Sequence, residues 1–111
     1  MNIKYEDFIK VDIRSGTIIK AEEFPRTKKP AYKVWVDFGA KLGILQTSAQ
    51  ITQNYTIENL IGQQIIGCIN LGEKNIAGFK SQFLLVGFED AENNIILCTT
   101  TTNVPNGQKL Q

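Results

Sequence analysis

Apolar residues along the chain come in short runs, alternating or rich in β-branched types, with turn formers between them. No stretch keeps a 3.6-residue period long enough to make a packed helix. The cleanest run is Lys33-Val34-Trp35-Val36-Asp37-Phe38, which puts Val34, Val36 and Phe38 on one face and Lys33, Trp35 and Asp37 on the other. The first face is predicted core. Val11 to Phe24 is a longer β-branched run, and Gly16 inside it predicts a bulge or a bend at a barrel corner. Gly39 to Gly43 reads as a hairpin connection into Ile44-Leu45-Gln46-Thr47. Ser48 is placed to cap a short helical turn through Gln53. Thr56 is placed to cap another, with Glu58 near its positive end and Gly62 just past Leu60-Ile61.

Three more strands are predicted at Gln64 to Leu71, Phe83 to Phe88 and Ile95 to Thr99, the last two joined by the polar turn Glu89 to Asn94. Phe83 to Val86 is apolar at every position, so one side should fill a barrel while something else covers the other, a partner subunit being one candidate. Val104-Pro105-Asn106-Gly107 is a strong turn signal and leaves Gln108 to Gln111 as a terminal strand or tail. Five or so strands with a short helical element near the middle describe an all-β OB-fold, a five-stranded Greek-key barrel whose open face binds oligonucleotides in many proteins. An SH3-like barrel has a similar composition. With 111 residues the chain makes one domain, 1–111.

Twelve Lys and Arg against eleven Asp and Glu leave a net charge of +1, so any attraction to a polyanion must come from a local patch. Histidine is absent, which removes the commonest general base and metal ligand and argues against hydrolytic and metal chemistry. Cys68 and Cys98 lie thirty residues apart in apolar runs, without zinc or redox spacing. Both are predicted to be buried, reduced thiols. The early charges Lys4, Glu6 and Asp7 leave no room for a signal-peptide core, and no apolar run approaches the ~20 residues of a membrane span. A soluble cytoplasmic protein without cofactor or metal is expected.

Five segments then occur in a distinctive order. They are Asp12-Ile13-Arg14-Ser15-Gly16-Thr17-Ile18, Ala21 to Pro25 with Lys29 to Lys33, Thr47 to Thr52, Ile76 to Ser81, and Val104 to Gly107. With them the chain resembles the tRNA-binding domain family and, within it, the stand-alone CsaA-type secretion chaperones, over nearly its whole length. That resemblance implies an OB-fold homodimer in the bacterial cytoplasm that binds preprotein or unfolded peptide segments. It also implies tRNA binding by shape, as in relatives appended to aminoacyl-tRNA synthetases, with Lys33, Asn70, Lys80 and Ser81 at the matching positions. These residue types suit phosphate and 2′-OH contacts. Two and three places after Ser81, where tRNA-binding relatives tend to carry glycine and methionine, this chain has Phe83 and Leu84.

Arg26, Lys28, Lys29 and Lys33 crowd a loop bracketed by Pro25 and Pro30 and followed by Tyr32 and Trp35. Cations beside aromatic platforms are a recipe for single-stranded nucleic acid, although a solvated hairpin loop has the same composition. Trp35 shares its face with Lys33 and Asp37, so it should stack on a ligand or anchor an interface. Phe24, Tyr32 and Phe79 could extend an apolar peptide-binding patch around it, or pack against neighbouring loops. Lys80-Ser81 offers the one candidate base and nucleophile, but adjacent strand residues point to opposite faces, so catalysis is not expected. Ile3, Tyr5, Phe8, Phe83, Leu84, Val104 and Leu110 are the candidate dimer contacts. The reading favoured is a non-enzymatic chaperone for preprotein or unfolded segments, the other a structure-specific tRNA-binding protein.

Overall fold

The computed structural model describes residues 1–111. Eleven elements follow one another: α1 (Tyr5–Phe8), β1 (Ile13–Glu23), β2 (Tyr32–Asp37), β3 (Ile44–Ala49), α2 (Ile57–Leu60), β4 (Gln64–Cys68), β5 (Lys74–Ile76), β6 (Phe79–Ser81), β7 (Leu84–Leu85), β8 (Gly87–Glu89) and β9 (Ile95–Leu97). Five of them form one antiparallel sheet in the order β3-β2-β1-β4-β7. The sheet curls into a nearly closed barrel of OB type. At its open seam Thr47 of β3 donates through Oγ1 to Phe83 O, just ahead of β7, at 2.8 Å. Two small hairpins, β5–β6 and β8–β9, flank the barrel.

The alternation in β2 places its side chains as predicted. Val34, Val36 and Phe38 are buried with Ile18, Leu60 and Ile65, and each such side chain contributes ~1.5–3 kcal/mol by leaving water. Phe38 meets Phe83 edge to face at 5.0 Å between centroids. This pair explains Gly16 and Gly67: a β carbon on Gly16 would stand 2.5 Å from Val36 Cγ1, and one on Gly67 2.9 Å from both Phe38 Cζ and Phe83 Cδ2. Gly16 is therefore a space requirement and not the predicted bend. The bulge of β1 lies further on, where the register with β2 shifts between Ile18 and Lys20.

Several boundaries differ from the sequence prediction. Ser48 caps no helix: β3 runs on to Ala49, and only a turn follows at Thr52–Asn54. Thr56 does cap α2, in a box completed by Asn59, whose side chain accepts from Thr56 N at 3.0 Å while Thr56 Oγ1 accepts from Asn59 N at 3.2 Å. The apolar run from Phe83 splits after β7, because Val86 passes its carbonyl to Cys98 N and the chain turns away to pair with β9. The terminal segment runs along β1, with Gly107 N donating to Ser15 O at 2.7 Å, Ser15 N to Gln108 O at 3.0 Å and Leu110 N to Ile13 O at 2.8 Å. Cys68 is buried as predicted, but Cys98 is half-buried. α1 and the β5–β6 hairpin were not predicted. The turn of that hairpin is Ala77-Gly78, both at positive φ (49° and 85°), the primed geometry that two-residue hairpins favour.

Candidate nucleic-acid interface

The register of β1, β2 and β3 builds two rungs on the outer face of the barrel. One is Lys20–Trp35–Gln46 and the other Glu22–Lys33–Ser48. Lys20 Nζ lies 4.6 Å from the Trp35 ring centroid, and Trp35 Nε1 donates to Gln46 Oε1 at 3.2 Å. Lys33 Nζ stands 4.9 Å from the Phe24 ring and 5.1 Å from the Phe79 ring. Phe79, carried by β6, packs edge-on against Phe24 at 5.6 Å and against Trp35 at 5.9 Å. Lys20 also pairs with Glu22 at 3.2 Å, an exposed contact of little energetic weight.

Of the four residues predicted to hold peptide, the structure brings three together and removes one. Phe24, Trp35 and Phe79 form a single aromatic cluster, but Phe24 is only 3% exposed and the other two are half-buried. Tyr32 is core, and its hydroxyl donates to Tyr55 O at 2.9 Å. Its position was legible, since it falls in phase with Val34 and Val36. Burial, followed by the negative charges of Glu23 and Glu58, raises the Tyr32 pKa above its ordinary value.

The predicted RNA contacts also divide. Arg26, Lys28, Lys29 and Lys80 lie on the surface, the first three on the loop between β1 and β2, where Thr27 Oγ1 bonds to Phe24 O and Lys29 O and holds the turn. Arg26 extends toward the β5–β6 turn, its Nη1 3.9 Å from where a β carbon on Gly78 would stand. Asn70 instead spends its amide on the main chain, accepting from Asp12 N at 2.9 Å and donating to Lys10 O at 2.6 Å. It staples the end of β4 to the segment before β1. Ser81 Oγ accepts from Ser48 N at 3.1 Å and sits 3.2 Å from Ser48 Oγ, so its partner is a hydroxyl and not a base. Lys20, Gln46, Ser48 and Lys74 were missed, because only strand register brings them to this face.

Among the predicted dimer contacts, Phe83 is buried within the chain against Phe38. Ile3, Tyr5, Phe8, Leu84 and Leu110 are exposed, and Val104 is half-buried. No cluster of Cys, Asp or Glu is arranged to hold a metal ion, and no helix is long and apolar enough to cross a membrane.

Charge is segregated in a way that the total conceals. The outer face of β1–β3, the β1–β2 loop and the β5–β6 hairpin with its entry carry seven cations (Lys20, Arg26, Lys28, Lys29, Lys33, Lys74, Lys80) against four carboxylates (Glu22, Glu23, Asp37, Glu73). That is a local excess of three positive charges. The remainder of the chain has five cations against seven carboxylates, an excess of two negative charges. This face comprises the strands and the two connections that carry ligands in OB-folds.

Residues 13–109 match the model of the tRNA binding domain family. The chain belongs to that family. Among solved structures it is similar to chaperone CsaA from Bacillus anthracis, at 41% identity and TM-score 0.93 with all of both chains covered. It is also similar to the CsaA chaperone protein from Picrophilus torridus, at 39% identity and TM-score 0.91 over 99% of this chain and 100% of that one. A methionine–tRNA ligase from Pyrococcus horikoshii is 36% identical over 95 residues, which are 86% of this chain and 13% of that enzyme. The chain spans about a seventh of the length of such curated relatives, where the matching region is one part of a much larger enzyme.

Proposed function

We propose that this protein is a non-catalytic binding module whose basic barrel face holds folded tRNA. The carrying observation is the excess of three positive charges on the outer strand face, loop and hairpin, in a chain whose total charge is +1. The aromatic rings of this face are engaged with one another and with cations. Lys20 lies over Trp35, and Phe79 packs T-shaped against both Phe24 and Trp35, so they are not offered as separate platforms for stacking the bases of a single strand. Cations and hydroxyls on a rigid sheet suit the phosphates and 2′-hydroxyls of a structured RNA. Fluorescence anisotropy with bulk tRNA and with an unstructured RNA of equal length tests the reading. Preference for tRNA, lost as salt rises, is expected; equal affinity for both would refute it.

A second reading is favoured by the full-length similarity to CsaA chaperones. On it, the protein is a cytoplasmic chaperone that binds unfolded or preprotein segments for export, and it acts as a homodimer. Supporting the dimer, α1 buries none of its own residues although Tyr5 and Phe8 pack together at 6.3 Å, and Ile3 and Leu110 are exposed apolar side chains at the two chain ends. Tyr5→Ala with Phe8→Ala should then weaken association in sedimentation. A wild-type monomer at micromolar concentration would exclude the dimer.

A further inference from the structure

The β5–β6 hairpin is attached to the barrel by an imitation of strand pairing. β5 and β6 pair only with each other, and no residue from Lys74 to Ser81 is buried. One main-chain bond joins the hairpin's exit to β3, from Gln82 N to Gln46 O at 2.8 Å. The other links run through side chains: Gln82 Oε1 accepts from Gln46 N at 3.0 Å, Ser81 Oγ accepts from Ser48 N at 3.1 Å, and Gln46 Nε2 donates to Lys80 O at 3.0 Å. Gln46 N, Gln46 O and Ser48 N are the groups that the outer edge of β3 would offer to a neighbouring strand. Only one of the three is met by main chain. Each side-chain bond contributes little net stability and can be exchanged singly, unlike a continuous ladder. Beyond this base the hairpin is held by the Phe79 ring, wedged between Phe24 and Trp35.

We propose that the segment Phe79–Gln82 occupies a peptide site as an internal stand-in, and that the hairpin opens as a clip to let an unfolded polypeptide segment replace it. The incoming segment adds a strand to the edge of β3, taking the bonds of Gln46 and Ser48, and seats an aromatic or large apolar side chain in the slot of Phe79. Main-chain pairing supplies affinity without sequence, and one pocket supplies the preference. The floor of that pocket is already built for a ring: Phe24 and Trp35 meet it at interplanar angles of 68° and 78°, and Lys33 Nζ stands within cation–π reach. Gly72, at φ 85° with open space around it, gives the chain freedom to swing at the entry to the hairpin. The inference rests on the second functional reading and assigns its binding site.

The Ser48 and Ser81 hydroxyl oxygens lie 3.2 Å apart, close enough for a reversible staple. Ser48→Cys with Ser81→Cys, in a Cys98→Ser background, locks the clip when oxidised and frees it when reduced. Binding of reduced, carboxymethylated α-lactalbumin, a permanently unfolded client, is measured in both states, with thermal melting as the check on folding. Oxidation should weaken client binding by about tenfold or more, since apparent affinity scales with the open fraction. Phe79→Ala provides an independent arm without a disulfide, and removing the internal competitor should tighten client binding several-fold. Equal client binding by the oxidised and reduced staple overturns the clip and leaves the peptide reading standing. Weakened binding by Phe79→Ala overturns the clip as well, because it makes Phe79 a client contact. No client binding by wild type or any variant overturns the peptide reading and the clip with it.

Discussion

Replacing Lys28 and Lys29 with alanine removes two of the seven cations of the basic face without touching the barrel, since both are exposed on the β1–β2 loop and neither forms an ion pair. For a duplex-like RNA surface, each phosphate left without its lysine should flatten the dependence of log affinity on log salt by about 0.9. Removing both lysines therefore flattens it by about 1.8, and across a fourfold rise in salt the variant's affinity should fall roughly tenfold less than that of wild type. Anisotropy titrations with bulk tRNA between about 50 and 200 mM salt resolve that difference. Lys4→Ala with Lys41→Ala is the matched control, because it removes the same charge from outside the face. A double loop variant with an unchanged slope would refute the placement of the site. A control variant that flattens the slope equally would show attraction by total charge, not by the face.

Gly16→Ala should cost about 1–3 kcal/mol, as its new methyl meets Val36 Cγ1 at 2.5 Å and Phe38 Cδ1 at 2.9 Å; differential scanning calorimetry should show a lower Tm, and an unchanged one would contradict the packing argument. Asp90 has a pKa below its ordinary value because Asn94 N, the Asn54 amide and Glu92 N donate to its carboxylate. The unfolded state thus takes up this proton first, so the contribution is present above the unfolded pKa of about 4 and is lost as pH falls through the lower folded pKa. Asp90→Asn should give a shallower acid limb in unfolding experiments, and an acid limb identical to wild type would remove Asp90 from the account. Half-buried Cys98 should react with a thiol reagent before buried Cys68 in the native protein; labelling in the reverse order would contradict the burial of the two thiols.

The period-2 alternation of Lys33–Phe38, the Thr56 cap and the Val104–Gly107 turn were enough to place a core strand, a helix start and the return of the chain, because each depends on neighbours in sequence. The basic loop was legible for the same reason. The ordered motifs carried the family. What lay beyond sequence reading was everything set by strand register. Lys20, Trp35 and Gln46 are far apart along the chain and meet only because a bulge after Ile18 sets β1 against β2. Sequence could not tell that Phe24 is sealed by Phe79, that Asn70 and Ser81 use their polar groups on the main chain, or that a near-neutral chain is divided into a basic face and an acidic remainder. Local patterns follow from steric and hydrogen-bonding preferences within a few residues. Burial and charge distribution depend on which distant segments become neighbours, and that is decided only when the barrel closes.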